Sequence, residues 1–390
     1  MQYREVPKTG ERLSALGLGC MRFPTIDHDP SLIDKDKAKA LIQVAIDNGI
    51  NYLDTAYPYH GTGIMEPGQS EPFLAEVLTP EQREQINIAT KLPSWLIKQE
   101  NDMDMYLNHQ LERLQMECID YYLLHTLNRQ LWTNLKDVNV TAFLDRAMKN
   151  NKIRNAGFSF HDNSVELFKE IIDAYDWSFC QIQYNYLDQN YQAGKEGLNY
   201  AASKGLAIII MEPLKGGSLA ANLPSEAMHL FKEENMQRSP AEWSLRWLWD
   251  HPEITTVLSG MNHMSQLMEN INTAHSTHPN GLTDREHTTI RKVKHILQNK
   301  VKVGCTGCGY CMPCPVGVDI PLNFSYLNTF HRFDDRTTQQ NTKIMYYVTL
   351  SDQEKATNCK ECGKCEGHCP QHIPIREKLK TVTQSLSMIL

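Results

Sequence analysis

The chain is easiest to place by what it lacks. In its 390 residues no stretch reaches the roughly 18 unbroken apolar residues that a membrane helix requires, and the opening MQYREVPKTGERL carries no apolar signal core. The expectation is a cytoplasmic protein with no membrane role. Clustered basic residues are also missing: 39 Lys and Arg against 46 Asp and Glu give a net charge of -7. Phosphate backbones are gripped by concentrated positive charge, so no nucleic-acid partner is expected. The first strand-like stretch ends in GLGCM, which does not match the glycine-rich nucleotide turn of a doubly wound sheet. No flavin fingerprint is present either. Cysteine is sparse over the first 300 residues, where Cys20, Cys118 and Cys180 stand alone and read as small core residues.

Apolar residues make up 41% of the chain and charged residues 22%, enough for a soluble protein with a large core. The length exceeds that of one ordinary domain and fits a barrel of about 250 residues with an appended unit. The first 275 residues alternate strand and helix signals. SALGLGCMRF precedes DKAKALIQVAIDNG, NYLDTA precedes SEPFLAEVL, INIATKL precedes DMYLNHQLERL, and DYYLLH precedes TAFLDRAMKN. IRNAGFSF, FCQIQYNYL, AIIIMEPL and ITTVLSG each lead into a further amphipathic stretch. Continuous apolar runs such as AIII and YYLL suit strands buried on both faces of a parallel sheet. Eight such pairs predict an α/β fold, a closed (β/α)8 barrel over residues 1–280. The polar HSTHPNGLTDRE reads as a linker, and HTTIRKVKHIL, PLNFSYLNTF and KIMYYVTL predict a mostly α-helical second domain over 281–390.

Ionisable residues close successive predicted strands: Asp54 ends YLD, Lys91 ends INIATK and His125 ends DYYLLH, with Tyr59 in the loop after the first of these. A parallel barrel gathers such strand ends at one rim. Asp54 and Lys91 alone could be a structural ion pair, because such pairs form without any catalytic purpose. A phenol and an imidazole at the same rim point to proton chemistry. Trp95 and Trp132, after the Lys91 and His125 strands, read as pocket walls, and His60 and His161 lie in rim loops.

The other eight cysteines crowd the C-terminal end. Cys305, Cys308, Cys311 and Cys314 precede Pro315, and Cys359, Cys362, Cys365 and Cys369 precede Pro370. In a reducing compartment this crowding indicates metal before disulfides. Two triple-plus-one sets, each ending Cys-Pro, resemble a dicluster ferredoxin in an α-helical version. That resemblance implies one [4Fe-4S] cluster on Cys305, Cys308, Cys311 and Cys369, and another on Cys314, Cys359, Cys362 and Cys365. The first set has two residues before its last Cys rather than three, and tetrahedral zinc remains the competing reading of C-x2-C pairs.

Residues 1 to about 275 resemble an aldo-keto reductase, and the whole chain resembles the branch of that family with a C-terminal iron-sulfur domain. Asp54 and Tyr59 in DTAYPY, Lys91 in ATKL and His125 in LLHT match the family tetrad in type and order. The resemblance implies hydride exchange between NADP or NAD and a small carbonyl or alcohol, with Tyr59 as the acid. An unperturbed phenol is a sluggish acid, and a neighbouring cation favours its ionised form. By the same resemblance Ser159 and Gln181 meet the nicotinamide carboxamide, Met211 covers the ring, and Gly19 and Met21 lie beside it. Phe160 stands where many members have Asn. Leu214 and Gly217 pass over the pyrophosphate, and Gly260, Asn262, Gln266, Glu269 and Asn270 meet the adenosine end. Gln266 stands where an Arg commonly grips the 2′-phosphate, so NADP and NAD both stay open. Two functions follow: a carbonyl oxidoreductase joined to a two-cluster electron carrier with a ferredoxin-like donor or acceptor, or an electron-transfer or redox-sensing module whose barrel binds nicotinamide without reducing a carbonyl.

Overall fold

A computed structural model describes residues 1–27, 29–221, 223–305, 311–333, 335–369 and 372–387. Ten strands are present among them. β1 (Tyr3–Glu5) and β2 (Arg12–Ser14) form an antiparallel hairpin. β3 (Leu16–Gly19), β4 (Tyr52–Asp54), β5 (Asn87–Leu92), β6 (Ile119–Leu127), β7 (Ile153–Phe160), β8 (Phe179–Gln183), β9 (Ala207–Met211) and β10 (Ile254–Ser259) pair in parallel and in sequence order, and β10 closes onto β3. All eight strands expected from the sequence are the barrel strands. Helices follow them, including Lys35–Asp47, Glu100–Leu114 and Val165–Asp173.

Strand alternation explains how one closed sheet can be both core and site. Tyr52, Ala89, Tyr121, Leu123, Phe179, Ala207, Ile209 and Leu258 form a single buried cluster inside the barrel. Successive side chains of a strand point to opposite faces, so residues two further along share the inner face. Two residues beyond Tyr52, Ala89, Leu123, Phe179, Ile209 and Leu258 stand Asp54, Lys91, His125, Gln181, Met211 and Gly260. The apolar layer therefore carries a polar layer on top, at the C-terminal ends of the strands. Room for the large rings comes from glycine: a Cβ on Gly157 would stand 2.4 Å from the Phe179 ring.

The hairpin closes the opposite end. Val6 and Leu13 are fully buried in the same interior cluster, and Glu11 bonds the Tyr121 hydroxyl. Sequence reading assigned no structure to this segment, because three-residue strands are too short for a periodic signal.

The chain divides into two compact units, one of residues 1–216 and 244–282, the other of 217–243 and 283–390. In the first unit, the stretch read as a linker is pinned: the Leu282 amide donates to Asp250 Oδ1 at 2.8 Å, and the Asn280 amide to the Asp250 carbonyl at 2.9 Å. The second unit is helical. Helix Ser225–Glu234 packs on helix Asp284–Asn299, whose first turn is held by a Thr283–Glu286 capping box. Helices Ile320–Arg332, Arg336–Thr349 and Ile375–Leu386 enclose Phe324, Leu327, Tyr346, Leu379 and Val382. No helix among the described residues is long and apolar enough to cross a membrane.

Candidate functional site

The polar layer brings the four rim residues together. Lys91 is fully buried, and its Nζ donates to Asp54 Oδ1 and to the Thr55 carbonyl, each at 2.6 Å. Register places the two strand ends side by side, Asp54 opposite Ala89 and Lys91 opposite Leu123. The ammonium also lies 4.8 Å from the centroid of the half-buried Tyr59 ring. Tyr59 in turn meets His125 edge to face, with centroids 6.2 Å apart, and Trp95 covers the imidazole at 5.1 Å.

The electrostatics follow from taking charges out of water. Burial disfavours the Lys91 ammonium, but Asp54 and Tyr59 outweigh it and hold its pKa above the usual lysine value. Lys91 is thus a fixed cation. Burial pushes the Asp54 carboxyl up, and Lys91 opposes the shift. Desolvation raises the Tyr59 phenol, with Lys91 pulling the other way by its charge and a hydrogen bond. Tyr59 is therefore a protonated phenol at neutral pH. Burial, then Lys91, then His161 drive His125 well below the normal histidine value, and desolvation with Lys91 brings His161 down to about 4. Both imidazoles are neutral at pH 7.

Tyr59 is carried by a loop rather than a strand, and the segment 61–68 fixes it. Gly68 donates to the Tyr57 carbonyl at 2.8 Å, Gln69 to the His60 carbonyl at 3.0 Å and Ser70 to the Tyr59 carbonyl at 3.1 Å. Beneath lies a fully buried carboxylate. Glu71 accepts from Thr90 Oγ1 at 2.7 Å, Gln110 Nε2 at 2.8 Å and Arg113 Nε at 2.9 Å. Arg113 also bonds the Gly68 carbonyl, and Gln110 donates to the Lys91 carbonyl at 3.1 Å. One hub thus ties the Tyr59 loop to the Lys91 strand. The sequence reading passed over Gln110 and Arg113; their helical spacing marked only the face turned inward.

The residues proposed to meet a dinucleotide divide into two groups. Ser159 Oγ accepts from the Thr126 amide at 2.7 Å, which leaves its own proton free to donate. Gln181 Nε2 donates to Met211 Sδ at 3.8 Å, and its Oε1 is buried without a partner. An amide ligand offers an acceptor to the first and a donor to the second, so a carboxamide fits between β7 and β8, paired there as Ser159 with Gln181. Gly19 and Gly260 face each other: a Cβ on Gly19 would lie 3.6 Å from the Gly260 nitrogen. The remaining positions are less committed. Met21 is 56% exposed and Leu214 half-buried. Gln266 Oε1 accepts from the Asn262 amide at 3.1 Å, and Glu269 lends its carbonyl to Thr273. Asn270 is buried and donates to Ser259 Oγ at 3.1 Å, a structural role. Gly217 opens the second unit with φ of 94°.

One aromatic expectation is corrected by burial. Trp132 is no pocket wall: it is fully buried, bonds Glu170 Oε1 at 3.2 Å and packs on Trp177. His60 is a loop strut, accepting from the Phe23 amide at 3.2 Å, with Nδ1 2.8 Å from the Pro30 carbonyl.

In the second unit Cys305, Cys311, Cys314, Cys359, Cys365 and Cys369 pack partly buried against its apolar core, and Cys362 is exposed. Cys308 lies outside the described residues. Among the described residues, no group of three or more Cys, His, Asp or Glu is spaced to hold a metal ion. The Glu361 amide donates to Cys359 Sγ at 3.4 Å. Burial, then Glu366, Cys359 and Cys362, push the Cys365 thiol up. An N–H donor to a cysteine sulfur suits an iron-sulfur cluster, whose potential depends on hydrogen bonds to sulfur.

Two known families match the chain in succession. Residues 15–294 match the aldo/keto reductase family, and residues 304–373 match a 4Fe-4S dicluster domain. A 6-dehydroglucose reductase of Novosphingobium aromaticivorans is 26% identical over 282 residues, spanning 68% of this chain and 88% of that protein. L-galactose dehydrogenase of Arabidopsis thaliana is 25% identical over 320 residues, 76% of this chain and 95% of its own. The holo form of an aldo-keto reductase from Bacillus halodurans shares the fold with a TM-score of 0.62 at 24% identity, covering 75% of this chain and 96% of that one.

Proposed function

Because the chain belongs to the aldo/keto reductase family, we propose that it interconverts a small carbonyl compound and its alcohol by hydride exchange with NADPH or NADH, at the rim built by Asp54, Tyr59, Lys91 and His125. The observation that carries this reading is the stacked order of charges: a buried carboxylate at 2.6 Å from a buried ammonium, which lies 4.8 Å from a phenol ring. A barrel that only bound nicotinamide would have no use for that arrangement.

The residues divide the work. Ser159 and Gln181 hold a carboxamide and thereby fix which face of a bound nicotinamide looks toward the rim; the reduced cofactor supplies the hydride. Neutral His125 donates one N–H to the carbonyl oxygen and orients it. Tyr59 delivers its phenolic proton to that oxygen as negative charge builds there, and the Lys91 ammonium stabilises the phenolate left behind. Asp54 keeps Lys91 charged and in place. Trp95 and the 61–68 loop limit water around the reacting oxygen. In the alcohol-oxidising direction the phenolate takes the proton back.

The C-terminal unit is proposed to hold two [4Fe-4S] clusters, on the cysteine sets given above, and to exchange electrons with a ferredoxin-like partner. Support comes from the dicluster-domain match and the two cysteine sets of the sequence. Mixing the protein with NADPH or NADH in a stopped-flow instrument, with and without a panel of small aldehydes, tests the whole. Aldehyde-dependent oxidation is expected. Dinucleotide binding with no aldehyde-dependent turnover would favour the redox-sensing alternative.

A further inference from the structure

We propose that Arg22 binds the diphosphate of the dinucleotide, an assignment that rests on the reading just given and identifies a binding residue it does not include. Arg22 ends the short turn Cys20–Arg22 that follows β3. Its stem lies on Gly260: a Cβ there would stand 3.1 Å from Arg22 Cδ, 3.2 Å from its Cβ and 3.3 Å from its Cγ. Its Nη2 reaches the loop after β9, 3.8 Å from where a Cβ on Gly216 would lie, with Glu212 Oε2 3.9 Å from the same point. The guanidinium therefore spans the gap between the ends of β3, β9 and β10, a gap lined by Gly19, Gly216 and Gly260.

Its pairing state sets it apart. Lys91 is committed to Asp54, and Lys215 to Asp188 at 2.5 Å. Among the described residues the Arg22 guanidinium has neither an ion pair nor a hydrogen bond, although Glu212 stands nearby. An ordered stem with a free planar fork, flanked by glycines that let a ligand approach the backbone, is suited to bidentate contact with a phosphate. Position around the barrel selects the phosphate. The tetrad uses β4 to β6 and the carboxamide partners use β7 and β8, so the diphosphate of a dinucleotide running onward reaches β9, β10 and β3.

The test compares full-length protein with Arg22→Ala and Arg22→Lys, measuring NADH and NADPH dissociation constants by nicotinamide fluorescence without substrate. Arg22 is exposed, so the variants should melt like the parent. Arg22→Ala is expected to weaken both dinucleotides by the same factor, about tenfold, with Lys recovering most of it and the salt dependence reduced in the Ala variant. Unchanged affinity for both dinucleotides would overturn the assignment, as it would if Arg22 met a substrate phosphate. A loss confined to NADPH would overturn it too, moving the residue to the 2′-phosphate. A parent protein that binds neither dinucleotide would remove the proposed function and this assignment together.

Discussion

Gly68 lies against the backbone of Tyr59 so closely that a Cβ at position 68 would stand 1.9 Å from the Tyr59 carbonyl oxygen and 2.7 Å from the Gly61 nitrogen. Both neighbours are backbone, so no side chain can swing away. Gly68→Ala is expected to push the Tyr59 loop outward and lower kcat about 100-fold, because misplacing a reacting group by about 1 Å costs that much. Nicotinamide affinity should hold, since its proposed partners sit on other strands. A normal kcat in this variant would mean that the loop does not set the position of the phenol.

Tyr59→Phe removes the proton and little else. Carbonyl reduction should disappear while dinucleotide binding persists, and unchanged turnover would take Tyr59 out of the mechanism. Lys91→Met acts on both stability and chemistry. It strands Asp54 in the interior, which costs about 3–5 kcal/mol by the usual behaviour of buried pairs, and the double variant with Asp54→Asn should recover part of the loss. Thermal melts of the three variants measure this; additive losses would show that the two groups are not coupled.

The histidines give a pH signature. Burial, with Lys91 behind it, holds His125 well below the ordinary value, and His161 is down to about 4, so the unfolded chain, with imidazoles near 6.5, binds protons more readily than the folded one. Their contribution to stability is complete above about pH 6.5 and is lost as the pH falls from there toward 4. Melting temperature should drop across that window, and less steeply in His125→Gln. Reduction should show no imidazole step between pH 6 and 8; a transition in kcat near 6.5 would contradict a neutral His125.

For the C-terminal unit, anaerobically prepared protein should carry about eight iron and eight sulfide per chain and absorb broadly in the visible. Cys362→Ser should remove about half of each, because Cys362 is assigned to one cluster only. Two colourless zinc ions per chain would refute the assignment.

The barrel was legible because every strand carried either an unbroken apolar run or a polar residue placed where the run ended. Asp54, Lys91 and His125 were found by that rule, and strand alternation explains it: each is the inward position one layer above Tyr52, Ala89 and Leu123. Arg22 was missed since a lone Arg in a loop carries no periodicity. The Glu71 hub was missed because a carboxylate that three side chains will satisfy looks, in sequence, like any helix-starting acid. Trp132 was misread because a tryptophan after a strand end can turn toward the pocket or behind it, and only packing against Trp177 decides which.

Val6 and Leu13 stopper the barrel from below. With Tyr52, Tyr121 and Phe179 filling the space above them, the barrel is a solid plug rather than a tunnel, and its chemistry is confined to the shallow polar layer at the strand ends.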